Sequence, residues 1–423
     1  GVAAAGDTLS LGGAVSGGAL ARLTKLGAGT LSLSAASPYA GGTTISAGHL
    51  VAASSGALGS GAVRVAGGAL DVGAATLGNS IVLAGGALNA VGSALLTGAV
   101  SQLADSRISA AQAPASLTLQ QAFAGGGHTL SVAGPGRVSL AGGAAGLASI
   151  VQDMGSELRL GDGKSIISSG AQIYSGVVKG LNATLASTAL NAIAATGSGN
   201  DFTGTLHVTA GDTTLSDSNA LSVVLDTGAT KLTAGQALAV SGTAASLVTD
   251  SEALVFGDTL VTGNGSFTAR GAVSQLAGQA LQVDGATTVD ATGQTVSLTE
   301  AVNTFGGLVT VKAGQTDLSA SDNLNVALDQ IGATTLTAGQ ALTLAGSAAS
   351  LVTDSAALTF GVTRVTGDGS FTARGAVSQL AGQALNVGGT TTFDAGSEAL
   401  SLTEAGNTFG GLVTVKAGQT DLS

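Results

Sequence analysis

Ser266 to Leu281 reads SFTARGAVSQLAGQAL, and the same string returns unchanged as Ser370 to Leu385. Asn303 to Ser319, NTFGGLVTVKAGQTDLS, returns in the same way as Asn407 to Ser423. Both strings belong to a longer duplication, in which Gly228 to Ser319 aligns with Gly332 to Ser423 without gaps at an offset of 104, with 72 of 92 positions identical. Self-similarity at a fixed period marks a repeat architecture and governs how every smaller motif is read. Worn copies lie upstream: Asn200-Asp201-Phe202-Thr203-Gly204 resembles the NTFGG start, and Gly98 to Ala104 (GAVSQLA) anticipates Gly271 to Ala277.

Within each unit, short runs of Thr, Val and Leu end in Ala-Gly or a similar turn. From Gly314 onward these turns fall at Gly339, Gly375, Gly396 and Gly418, at spacings of 25, 36, 21 and 22. Short strands at such intervals predict the coils of a parallel β-solenoid, with roughly 20 to 25 residues per turn. The prediction is about five coils per unit, about 20 in all, and a rod on the order of 95 Å long at a strand spacing of about 4.8 Å. The chain divides on this reading into a degenerate β-helical segment over 1–190 and a repeat array over 191–423. Thr262-Gly263-Asn264-Gly265 and Thr366-Gly367-Asp368-Gly369 are expected as tight turns.

The composition fits such a coil. Of 423 residues, 68 are Gly, 9% are charged and 44% are apolar, where a soluble domain averages about 7% Gly and about 25% charged residues. Gly at this density disfavours helix, and Thr and Val favour strands. With 9 Phe, 2 Tyr and no Trp, Ala, Val and Leu must build a thin core. Only 3 Pro are present, with no strict third-residue Gly, which excludes collagen. No apolar run is long enough for a membrane helix. There is no Cys, so disulfides, thiolate metal sites and thiol nucleophiles are out, and such a chain suits unfolded passage through a membrane pore. With 14 Lys plus Arg against 25 Asp plus Glu, no nucleic acid is expected as a partner.

Lys25 to Val72 reads KLGAGTLSLSAASPYAGGTTISAGHLVAASSGALGSGAVRVAGGALDV. It resembles the passenger-associated repeat of bacterial autotransporter adhesins, with Lys25, Gly27, Gly29, Leu31, Leu33, Tyr39, Gly41, Gly42, Thr43, Thr44, Ile45, Ala47, Gly48 and Leu50 at the pattern positions. Ser37 and Pro38 replace the usual Asn-Thr. The 104-residue units resemble the repeats of filamentous-haemagglutinin-like exoproteins. Together these resemblances imply an all-β, right-handed parallel β-helix. They also imply a secreted or surface-anchored Gram-negative protein that passes an outer-membrane translocator pore, by its own barrel or a partner's. Because Ser423 falls at the repeat position of Ser319, the chain reads as an excerpt from a longer array. No barrel strands with aromatic girdles are legible in it.

Chemistry is sparse. Gly163-Lys164-Ser165 lacks the upstream Gly of a phosphate-binding loop, since Leu158 stands there. His49, His128 and His207 are dispersed, and neither a metal site nor a cofactor site is expected. Asp250, Glu300 and Asp317 return as Asp354, Glu404 and Asp421, which reads as repeat decoration because an active site is normally built once. One unduplicated cluster stands out: Asp153, Glu157, Arg159, Asp162 and Lys164, read as a loop projecting from the rod and a candidate ligand contact. The expected role is a non-catalytic stalk or adhesive segment that meets host or neighbouring-cell surfaces or glycans. The alternatives are a self-assembling surface fibre or biofilm matrix component, and a glycan-active β-helix enzyme.

Overall fold

The computed structural model describes residues 3–330 and 332–422. Among them there is no helix, and parallel strands stack as a β-solenoid of about 21 turns. The all-β solenoid expected from the repeat is the observed fold. Contacts divide the chain into two compact units, Gly1–Ser222 and Val223–Ser423.

In the first unit the alternation of small polar and branched apolar residues sets the strands. Thr30–Leu33 (TLSL) turns Leu31 and Leu33 inward and leaves Thr30 and Ser32 half-buried outside. Consecutive coils stack in register, so like sits on like: Leu31 pairs with Leu50, Leu50 with Leu70, Leu70 with Leu88, and Leu88 with Ile108. A separate seven-stranded sheet supplies another face, from Thr76–Leu77 to Asp201–Thr203. Its inner rungs are Leu77, Leu96, Leu119, Leu140 and Leu160, none more than 7% exposed. Burying one such side chain contributes about 1.5–3 kcal/mol, and each rung also touches its twins above and below, so stability grows coil by coil.

The second unit uses longer strands, among them Ala237–Ser251, Thr287–Leu298 and Leu308–Ala320. Its Phe residues stack between coils: Phe256 and Phe267 meet edge-on at 4.8 Å, and Phe360 and Phe371 at 4.9 Å. The second copy adds Phe393, stacked on Phe371 at 5.2 Å, where the first has Val289. The chain bends at both expected turns, and in each the side chain ties the bend to the next coil. Asn264 Oδ1 accepts from Ala286 N at 2.9 Å, and Asp368 Oδ1 accepts from Thr390 N at 2.8 Å.

The duplication spans about five turns, as expected, but not a whole number of them. Phe267 pairs with Val289, and the ladder runs through Val311, Leu328 and Gly346 to Thr363. Five steps therefore end eight residues short of Phe371, the copy of Phe267. Phe371 stands on another ladder, reached from Leu318 through Leu336 and Thr353. Coils of unequal length carry the two copies onto different faces of the solenoid.

Candidate functional site

The charged cluster is not a projecting loop. Glu157–Leu160 is a strand of the seven-stranded sheet, with Leu158 and Leu160 buried and Glu157 and Arg159 facing out. Leucine alternating with charged residues at period two fits a strand with one buried face, and the neighbouring coils supply the ladder. The register places Arg137 beside Glu157, Arg159 beside Lys179, and Lys179 beside Asp201. Arg137 Nε donates to Glu157 Oε1 at 2.9 Å, and Arg159 Nε donates to the same oxygen. Lys179 Nζ lies 3.8 Å from Asp201 Oδ2.

The five residues do not converge. Glu157 and Arg159 meet; Asp153 lies in the preceding turn, 3.9 Å from Arg107 Nη2. Asp162 lies in the following turn and accepts from Asn182 Nδ2 at 3.1 Å. Lys164 is exposed and makes no ion pair among the described residues. Arg137, Lys179 and Asp201, which complete the outer lane, were missed because they sit about one coil away. The 20-residue offset between Arg137 and Glu157 was the signal that could have found them.

Burial pushes the Glu157 carboxyl up, but hydrogen bonds from Arg159 and Arg137 and their charges outweigh it and hold the group below its usual range. It stays ionised, the reverse of the protonated acid that glycoside cleavage needs. The duplicated carboxylates Asp250 and Asp354 are engaged likewise: Arg270 Nη1 donates to Asp250 Oδ1 at 2.7 Å, and Arg374 Nη1 to Asp354 Oδ1 at 2.6 Å. Among the described residues no group of three or more His, Cys, Asp or Glu is placed to hold a metal.

A second polar lane, unforeseen from the sequence, runs over four coils. His49 Nδ1 lies 2.7 Å from Asp71 Oδ2, Asn89 Nδ2 donates to Asp71 Oδ1 at 2.8 Å, and Ser109 Oγ donates to Asn89 Oδ1 at 2.7 Å. Its members are successive or near-successive rungs, so it ties coils together.

The first coils explain the Lys-Gly-Tyr pattern. Lys25 is 2% exposed, and its ammonium donates to the carbonyls of Leu26, Gly27 and Ala47 at 3.1, 2.7 and 3.0 Å. Three N–H groups thus meet three turn carbonyls. Tyr39 is 1% exposed, and its hydroxyl lies 2.7 Å from Thr43 Oγ1. Gly48 has φ +66°, and a Cβ there would run into the carbonyl oxygens of Gly27 and Gly29, so only glycine fits. At the Asn-Thr position, Ser37 Oγ accepts from Val15 N at 3.1 Å.

Residues 23–52 match the passenger-associated-transport-repeat family. Residues 242–312 and 346–416 match a family described as repeats of unknown function. No curated protein and no solved structure matches the chain. The two family matches support an autotransporter passenger repeat region. In the passenger repeat, Lys25 and Gly48 act on turn carbonyls and Tyr39 on the Thr43 hydroxyl, so the pattern specifies a coil and its turns.

Proposed function

We propose that the chain is a segment of a passenger exported by a Gram-negative bacterium through an outer-membrane translocator, and that it serves at the cell surface as a non-catalytic stalk or adhesive spacer. The observation that carries this reading is the passenger-repeat match at residues 23–52. The physical chemistry of the coils supports it. Each coil buries its leucines against the next, so folding proceeds by adding coils to an existing stack. A chain that leaves a pore from one end can fold in this way without its distant parts. The lack of cysteine removes cross-links that would lock a partly folded chain in the oxidising periplasm.

An engineered pair tests the reading. Thr118 and Ser139 are register partners on adjacent parallel strands, both half-buried on the outer face. With T118C and S139C together, the chain should stall during export under oxidising conditions and recover with reductant, while either single variant is exported normally. Equal export of the oxidised double variant contradicts passage as an unfolded chain.

A further inference from the structure

The two copies of the repeat differ at 20 of 92 positions, and several of the changes meet in one groove. In the second copy a groove of about 440 Å³ crosses three coils, lined by Arg364, Asn386 and Thr408 with Gly388 and Gly410 beside them. Arg364 is the register partner of Asn386, and Asn386 of Thr408. The glycines present no side chains, which leaves the groove open. In the first copy the matching positions hold Leu260, Gln282 and Thr304, with Asp258 where the second copy has Val362 and Asp284 where it has Gly388. Within the groove two replacements act in one direction, a carboxylate lost at Gly388 and a guanidinium gained at Arg364; beside it Val362 removes a second carboxylate, while Asp368, in place of Asn264, adds one.

Two donors in this groove, those of Arg364 and Asn386, are unspent. Arg364 has no hydrogen bond or ion pair among the described residues, whereas Arg270 and Arg374 each hold a carboxylate. Thr408 Oγ1 donates to Asn386 Oδ1 at 2.6 Å, which uses the acceptor of Asn386 and leaves its amide N–H groups free. The carboxylate on the same coil, Asp368, is turned away onto Thr390, taking both its N and its Oγ1 at 2.8 Å. Val223–Ser423 carries six Lys or Arg against sixteen Asp or Glu, so a bare guanidinium here is an exception to the local charge. Charges beyond a Debye length of about 8–10 Å are largely screened, which makes the immediate surroundings of Arg364 decisive.

We propose that this groove binds an acidic saccharide chain, with Arg364 on a uronate carboxylate and Asn386 on neighbouring ring oxygens. A guanidinium matches a carboxylate with two parallel hydrogen bonds. The polar rungs step along the solenoid axis at about 4.8 Å, close to the length of one pyranose ring, so successive sugars meet successive coils. An extended peptide advances about 3.3 Å per residue and falls out of step with the rungs. The inference goes beyond the passenger reading and does not depend on export.

The test is calorimetric titration of the full chain with an oligogalacturonate and with a neutral galactan oligosaccharide of equal length. The expected result is saturable binding of the acidic oligomer at one site per chain, weaker by about tenfold or more for R364L and for the neutral oligomer, as loss of a charged hydrogen-bonded pair implies. Leu stands at this position in the first copy, so R364L is compatible with the fold. The reciprocal variant, D258V with L260R and D284G, should add a second site. No binding by the wild-type chain, binding unchanged by R364L, or equal binding of the neutral oligomer or of an oligoglutamate overturns the proposal.

Discussion

Gln275 and Asn303 exchange their side-chain amides across one coil: Gln275 Nε2 donates to Asn303 Oδ1 at 2.6 Å, and Asn303 Nδ2 donates to Gln275 Oε1 at 3.0 Å. Gln379 and Asn407 repeat the exchange at 2.6 and 3.1 Å. Each Asn also accepts from a backbone N–H one coil back, that of Leu281 or Leu385, and donates to the carbonyl five residues earlier. Asn200, in the worn copy, does the same with Val178 N and Ala195 O. The Asn of NTFGG is thus a coil-to-coil clamp.

Asn303 is fully buried and Gln275 half-buried, and removing one partner of such a satisfied pair costs more than removing both. Asn303→Leu should therefore destabilise the second unit by about 2–3 kcal/mol, and Q275L with N303L by less than the sum of the two single changes. Urea unfolding followed by circular dichroism measures both. Additive losses would show that the exchange contributes nothing of its own.

Gln102, the worn counterpart of Gln275, is 1% exposed, and neither atom of its amide finds a partner. The residue 28 positions on is Leu130, where the intact copies have Asn. Its register neighbour is Leu83. Gln102→Leu should stabilise the first unit by about 1–2 kcal/mol, the opposite sign to Asn303→Leu.

Lys25 is a structural cation. Lys25→Met keeps the stem and leaves three turn carbonyls without their donor, at a cost of about 2 kcal/mol. The change should appear as early local exchange of the backbone amides of Ser46 and His49, which bond to Lys25 O and Gly29 O. Unaltered exchange there would contradict the role.

Thr249 and its copy Thr353 are each 1% exposed, and their hydroxyls have no protein partner. Valine has the same shape without the polar atom, so Thr249→Val and Thr353→Val should each stabilise by up to about 1 kcal/mol in urea unfolding. A loss of stability in both would show that the hydroxyls are well satisfied.

Two carboxyls give opposite pH dependences. Burial raises Asp217 above its ordinary value of 3.8, against hydrogen bonds from Phe202 N and Asn219 N. Its contribution is present below that value and fades as pH rises through the folded pKa. Glu157 is held below its ordinary 4.5, so its contribution is present above 4.5 and fades as pH falls through the folded pKa. Unfolding midpoints of D217N and E157Q between about pH 3 and pH 7 should show the two slopes removed separately. Identical profiles for both variants would contradict the assignment.

The 104-residue offset and the strand-turn rhythm made the solenoid legible, because stacked coils place like residues on like and leave the pattern in one dimension. Lys25, Tyr39 and Gly48 were legible as letters of a motif but not as a staple, a hydroxyl contact and a turn, since those roles depend on carbonyls brought close by folding. The lane around Glu157 was half legible: local charge density marks Glu157 and Arg159, while Arg137 and Lys179 appear only once the coil length is known. Rotation of the second copy onto another face was hidden, because it follows from unequal coil lengths that turn glycines alone do not reveal.

An epitope inserted in the turn at Met154, which is 85% exposed, gives the most direct test of the passenger reading. In cells that make the chain with its native export machinery, antibody added to intact cells or to the culture medium should find the epitope, without lysis. Detection only after the cells are broken open, with the chain folded inside, would contradict it.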